Sequence, residues 1–167
     1  MKPHTSITVM AGLVVALALL SCSESRDMAD RGTMDRTADE AAIRSLLAAN
    51  WTASSARDAE GVAATYLPDG DAWIAGLPRV SGFADVRRLE EEFGGMPGFQ
   101  SYGGTVDSIR FISRDSAIVE VSGTTTLDTG SFDEEVTIVV SRRDENWRIA
   151  AWRVMTFDET LLSLLQQ

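Results

Sequence analysis

Glu134-Glu135-Val136-Thr137-Ile138-Val139-Val140-Ser141-Arg142-Arg143 and Trp147-Arg148-Ile149-Ala150-Ala151-Trp152-Arg153-Val154-Met155-Thr156-Phe157, parted only by Asp144-Glu145-Asn146, read as the two strands of one hairpin. Both are rich in β-branched and aromatic residues, and the join is polar and short. Each strand is apolar on both faces: Val136, Ile138 and Val140 alternate with Thr137 and Val139, and Ile149 and Ala151 with Ala150, Trp152 and Val154. A sheet with one wet face alternates more cleanly. The second face is therefore expected to be covered, by a twin subunit or by Leu161–Leu165. Upstream, Val106–Ile112 and Ala117–Leu127 have the same composition, bounded by Asp115 and by Asp128-Thr129-Gly130. Loops this short pair the four strands antiparallel, as a meander.

The first half reads as helices. Ile43, Leu46, Leu47 and Trp51 recur at helical spacing, and Thr37 with Glu40 forms a capping-box pattern at the start. Asp58 is placed to cap a short second helix carrying Val62, Thr65 and Tyr66, which Pro68-Asp69-Gly70 ends in a turn. Asp71–Ala75 reads as a short strand. Ser81 opens a third helix with Val86, Leu89 and Phe93 inward and Arg87, Arg88, Glu90 and Glu91 on a solvated face. Helices followed by a meander make an α+β class.

The N-terminus reads as an export signal. Lys2 supplies the positive end, Ile7–Leu20 the apolar run, and Ser21 the small residue before the chain's only cysteine, Cys22. A spanning helix needs about 20 apolar residues, more than this run offers. The Leu-Leu-Ser-Cys ending resembles the lipobox of bacterial lipoproteins. That resemblance implies cleavage before Cys22, lipid on its new N-terminus, and a place at a membrane of the cell envelope, facing the periplasm in a cell with two membranes. Residues 1–21 are then the signal, 22–36 a polar tether, and 37–167 the domain.

Cleavage also sets the chemistry available. The only histidine, His4, and the only lysine, Lys2, leave with the signal. Fourteen arginines remain against 25 Asp and Glu, a mature charge of 14 − 25 = −11. Such a chain repels phosphate backbones, so nucleic acid is not an expected partner. No Ser-His-Asp triad, Lys or Cys nucleophile or histidine base exists. A zinc or copper site would have oxygen ligands only, and nothing implies a metal or cofactor. Carboxylates, Tyr66, Tyr102, hydroxyls and arginine are what is left.

Trp51, Asp58-x-Glu60, Tyr66-x-x-Asp69-x-Asp71-Ala72, Gly82-x-x-x-Val86 and Trp147-Arg148-Ile149, in that order and spacing, resemble the nuclear transport factor 2-like superfamily, in its SnoaL-like branch. The resemblance spans roughly Asp39–Phe157. It implies a cone-shaped curved antiparallel sheet packed on N-terminal helices, the cystatin-like roll. It also implies a conical pocket and a homodimer through the outer sheet face. The superfamily hosts isomerases, dehydratases, hydrolases and binding modules, so it does not by itself imply a function. Where its ketosteroid isomerases carry a general-base Asp, this chain has Gly76. No acid stands in Val136–Val140, where they carry a protonated one, and their first-helix tyrosine falls near Asn50.

Strand parity puts Trp147, Ile149, Ala151 and Arg153 on one face, which the resemblance makes the pocket face. Asp71 is placed to meet Arg153 there as a bidentate pair, a candidate base and its partner. Asn50, Trp51, Tyr66, Trp73, Phe99 and Trp147 are the candidates for holding a small apolar ligand. Three functions fit. A non-catalytic small-molecule-binding lipoprotein is favoured by the depleted inventory, and requires an open apolar cavity without a buried carboxylate. A carboxylate-dependent lyase, isomerase or hydrolase, using Asp71 with Arg153 or Tyr66, requires an acid and a donor converging in the pocket. A structural dimerisation module requires a pocket filled by its own side chains.

Overall fold

The computed structural model describes residues 36–156 and 158–165. The signal, Cys22, nearly all of the tether and Phe157 lie outside the described residues. Helix α1 runs over Thr37–Ser55 and α2 over Ala59–Ala64. Strand β1 follows at Tyr66–Ile74, β2 at Val80–Ser81, and helix α3 at Phe83–Gly94. Strands β3, Phe99–Ser113, β4, Ser116–Leu127, β5, Gly130–Arg143, and β6, Asn146–Thr156, complete the sheet before α4, Glu159–Leu165.

The fold is α+β, with one curved sheet in the order β2-β1-β6-β5-β4-β3. Strands β3 to β6 form the expected antiparallel meander. Strand β1 adds to β6 in parallel and β2 pairs antiparallel with β1. Asp58 caps α2 as expected, accepting from the Gly61 N–H at 2.9 Å. Three local expectations are corrected. Tyr66 opens β1 instead of closing α2, and β1 starts five residues before the expected Asp71. Ser81 pairs with Asp71 in the sheet, and α3 begins after Gly82. Thr37 is already helical.

The core lies between the helices and the concave face. Ile43 and Leu47 of α1, Val62 of α2 and Val86 of α3 meet Val119, Ile138, Val140 and Ile149 of the sheet, all at most 1% exposed. Leu161 of α4 joins this core. On the convex face, Ile118, Thr137 and Val139 stay only half-buried with α4 in place.

Register irregularities bend the sheet. The decisive one is in β6. Val140 pairs with Ile149 but Val139 pairs with Ala151, which leaves Ala150 as an extra residue. Beyond it the side chains change face. Trp147 and Ile149 point to the core before the bulge, and Trp152 and Val154 after it.

Candidate functional site

A narrow cavity of about 30 Å³ opens between α1, α3 and the concave face of the sheet. Asn50 and Ser54 reach it from α1, Leu89, Glu90 and Phe93 from α3, and Tyr66, Ala72, Ile74, Tyr102, Glu134, Trp152 and Val154 from the strands. A small or flat occupant fits such a slot.

Its chemistry comes from two glutamates. Glu134 stands on β5 at the same parity as Val136 and Ile138, so the strand turns it inward, where it is 3% exposed. Thr125 on the neighbouring strand donates to its Oε1 at 2.6 Å. Its Oε2 is buried without a hydrogen-bond partner. Burial pushes this carboxyl up to about 7, against the pull of the Thr125 hydrogen bond and of the nearby Tyr102 hydroxyl. Glu90 sits on the inner face of α3, half-buried. Burial, and then the charge of Glu134, push its carboxyl up to about 7 as well. No arginine or lysine is among the residues lining the cavity.

Two phenols complete the site. The Tyr102 hydroxyl is buried without a partner and rests over Gly123, the cross-strand partner of Glu134. A Cβ at Gly123 would come within 2.7 Å of that oxygen, so only glycine leaves room for it. Burial first, then the charges of Glu134 and Glu90, keep Tyr102 far from ionising. Tyr66 is raised in the same way, by burial and then by Glu90 and Asp71. Both are therefore neutral donors. Asn50 spends an amide N–H on Thr65 Oγ1 at 2.9 Å, and Thr65 donates in turn to the Val62 carbonyl at 2.7 Å.

Of the candidates read from the sequence, Asn50 and Tyr66 line this cavity. Asp71 and Arg153 do meet: Arg153 Nη2 donates to both carboxylate oxygens at 2.8 and 2.9 Å, and Arg79 approaches at 3.6 Å. The pair lies on the opposite face from the cavity, however. Asp71 pairs in register with Ala151 and Trp73 with Arg153, while their neighbours Ala72, Ile74, Trp152 and Val154 line the slot. The bulge at Ala150 is the physical reason, since it reverses the parity that put Arg153 with Trp147.

The remaining aromatics are elsewhere. Trp73 is half-buried on that outer face. Trp147 donates to Asp39 at 3.2 Å and stacks under Arg142, whose Nη1 binds the same carboxylate at 2.8 Å, in a clasp that joins α1 to β5 and β6. Phe99 packs edge-on to Phe93 beneath Arg57. Trp51 packs against the core. The aromatic walls of the slot are instead Tyr66, Phe93, Tyr102 and Trp152.

A family model described as a SnoaL-like domain matches residues 35–153. No curated protein matches the chain. Among solved structures, Rv3472 of Mycobacterium tuberculosis, a protein of unknown function, superposes with a TM-score of 0.68 at 18% identity, covering 79% of this chain and 89% of that one. A cystatin-like-fold domain of unknown function from Nostoc punctiforme gives 0.65 at 23% identity, with 78% and 85% covered. A ketosteroid isomerase-like protein from Erwinia carotovora atroseptica gives 0.58 at 20%, with 70% and 96% covered.

Proposed function

The chain belongs to the SnoaL-like domain family, and we propose that it uses this fold as a proton-transfer enzyme, an isomerase or lyase whose acid–base pair is Glu90 and Glu134. The observation that carries the reading is two glutamates, and no cation, on the walls of one largely apolar slot. Two coupled carboxyls titrating at about 7 share roughly one proton near neutrality. One is then a base while the other is an acid, and catalytic groups work best with such matched values.

The chemistry follows from those charges. The ionised carboxylate takes a proton from a carbon next to a carbonyl, and the electron pair moves onto the carbonyl oxygen. Tyr102 or the protonated glutamate donates to that oxygen as its charge grows. Returning the proton to another carbon completes an isomerisation. Expelling a hydroxide that takes up the acid's proton completes a dehydration. The substrate is small and mostly apolar, because aromatic and aliphatic side chains form most of the wall. A relative named as ketosteroid isomerase-like supports the class of reaction, while the acids are assigned from this chain's own geometry.

The test is carbon–deuterium exchange. Small enolisable ketones are incubated with the protein in D₂O and followed by NMR. The expected result is exchange above the buffer rate, slowed by about 100-fold or more in Glu90→Gln, with the circular dichroism spectrum unchanged. Exchange at the wild-type rate in both Glu90→Gln and Glu134→Gln overturns the reading.

We also propose that the enzyme works at a membrane of the cell envelope, held by lipid on Cys22. The ordered signal Lys2, Ile7–Leu20, Ser21, Cys22 supports this. No helix among the described residues is long and apolar enough to cross a membrane. Metabolic labelling with a fatty-acid analogue tests it: label on the wild type and none on Cys22→Ser is expected, and equal label on both rejects it.

A further inference from the structure

We propose that the slot selects a protonated amine, a small organic cation whose ammonium group binds between Glu134 and Glu90 and whose apolar body lies against Phe93, Tyr102 and Trp152. This rests on the cavity being the substrate site and leaves open which bond the enzyme works on.

Glu134 is the first argument. It is 3% exposed, its Oε1 is satisfied by Thr125 at 2.6 Å, and its Oε2 is buried with no partner. A buried acceptor left in that state is rare and calls for a donor. The donors nearby leave it unsatisfied: the Asn50 amide gives one N–H to Thr65, and the Tyr102 hydroxyl lies close to the carboxyl without reaching hydrogen-bond geometry. Charge points the same way. Glu90 shares the slot, and no arginine or lysine lines it. Anions are repelled, neutral molecules leave the ionised acid without a counter-charge, and an ammonium group supplies that charge while donating up to three hydrogen bonds, enough to reach both carboxyls. The wall suits an apolar body. Phe93 and Tyr102 sit edge-to-face at 5.9 Å between centroids, and Tyr102 and Trp152 lie 6.2 Å apart, so an aromatic wall lines the same slot as the acids. An organic cation is favoured over a metal ion because the described residues contain no group of three or more His, Cys, Asp and Glu able to hold one.

The test uses matched probes: benzylamine, benzyl alcohol and benzoate, with butylamine, butanol and butyrate as a slimmer set. Binding to the full protein at neutral pH is read by calorimetry. In at least one set the amine is expected to bind about tenfold or more tighter than the alcohol, with no binding of the carboxylate. Glu134→Gln is expected to bring amine and alcohol within about twofold of each other, and Glu90→Gln provides a second variant should the first not fold. Equal affinity for amine and alcohol, preference for the carboxylate, no binding in either set, or an amine preference that survives both substitutions overturns the inference. Its failure is separable from that of the proposed reaction. Amine selectivity without carbon–deuterium exchange retains this inference alone, and exchange on neutral ketones without amine selectivity retains the reaction alone.

Discussion

Glu134 is the residue that couples stability to the site. Its carboxyl rises from an ordinary 4.5 to about 7 on folding, as does that of Glu90. The folded state therefore holds protons that the unfolded chain releases. Stability contributed by these groups is full below pH 4.5, falls as pH rises toward 7, and is level above that. One such shift, fully expressed, is on the order of 3 kcal/mol. Unfolding by urea at a series of pH values is expected to show stability falling between pH 5 and 7.5, roughly the window of the shift. Glu134→Gln, a neutral replacement of similar shape, is expected to flatten that slope and to raise stability at pH 7.5. A slope unchanged by the substitution contradicts the assignment. Gly123 makes the second residue-scale prediction. A methyl there would meet the Tyr102 hydroxyl at 2.7 Å, while the nearest ring carbon is 3.5 Å away. Gly123→Ala is therefore expected to cost about 1–3 kcal/mol, as overpacking does. Adding Tyr102→Phe removes the clashing oxygen and is expected to recover much of that loss. Additive costs in the double variant would show that the two residues do not press on each other.

At the scale of elements, the site depends on the bulge in β6. Ala150 is the extra residue that turns Trp152 and Val154 into the cavity and sends Arg153 out to Asp71. Inserting one alanine between Ala151 and Trp152 would bring Arg153 inward and put Trp152 in solvent, because a one-residue slip exchanges the two faces of a strand. The expected outcome is loss of the cooperative thermal transition; an insertion variant that melts as the wild type does would show that the facing of β6 does not build the site. The same element explains where reading the sequence stops short. The meander was legible from Val, Ile and Thr content and short polar joins, and Asp58 from its capping chemistry. Glu134 was legible too, since it shares the parity of Val136, Ile138 and Val140. So was Glu90: with Val86, Leu89 and Phe93 it completes the i, i+3, i+4, i+7 stripe of an inward helix face, and its charge argues for solvent only while no cavity is known to receive it. The bulge has no such mark. Nothing in Ile149-Ala150-Ala151-Trp152 distinguishes a regular strand from one with an extra residue, because both readings leave apolar side chains on each face. The parallel pairing of β1 with β6 is equally silent. Gly70 permits it, its backbone running so close to the Ile149 carbonyl that a Cβ would sit at 2.8 Å, but that contact exists only once the strands have met.

At the scale of the whole molecule, the convex face offers a surface for a second copy of the chain. Ile118, Val139 and Ala151 form one row across β4, β5 and β6, and Glu120, Thr137, Arg153 and Trp73 form the next, by register. The first row is apolar and half-buried. The second runs from an acid to an arginine, with Thr137 donating to Glu120 at 2.7 Å and Arg153 bound to Asp71. A two-fold axis through this face would set apolar row against apolar row and bring each acidic end toward the basic end of its mate, the self-complementarity that an isologous contact requires. We therefore propose that two copies join through it, which would cover the apolar second face of the β5–β6 hairpin. Val139→Glu places a carboxylate at the centre of the apolar row, next to the register partners Ile118 and Ala151. It leaves the concave core untouched, so the circular dichroism spectrum and the pH-dependent stability step of Glu134 are expected to persist. Sedimentation velocity at micromolar concentration is expected to show a dimer for the wild type and a monomer for Val139→Glu. A wild type that sediments as a monomer, or a substituted chain that remains a dimer, moves the interface off this face.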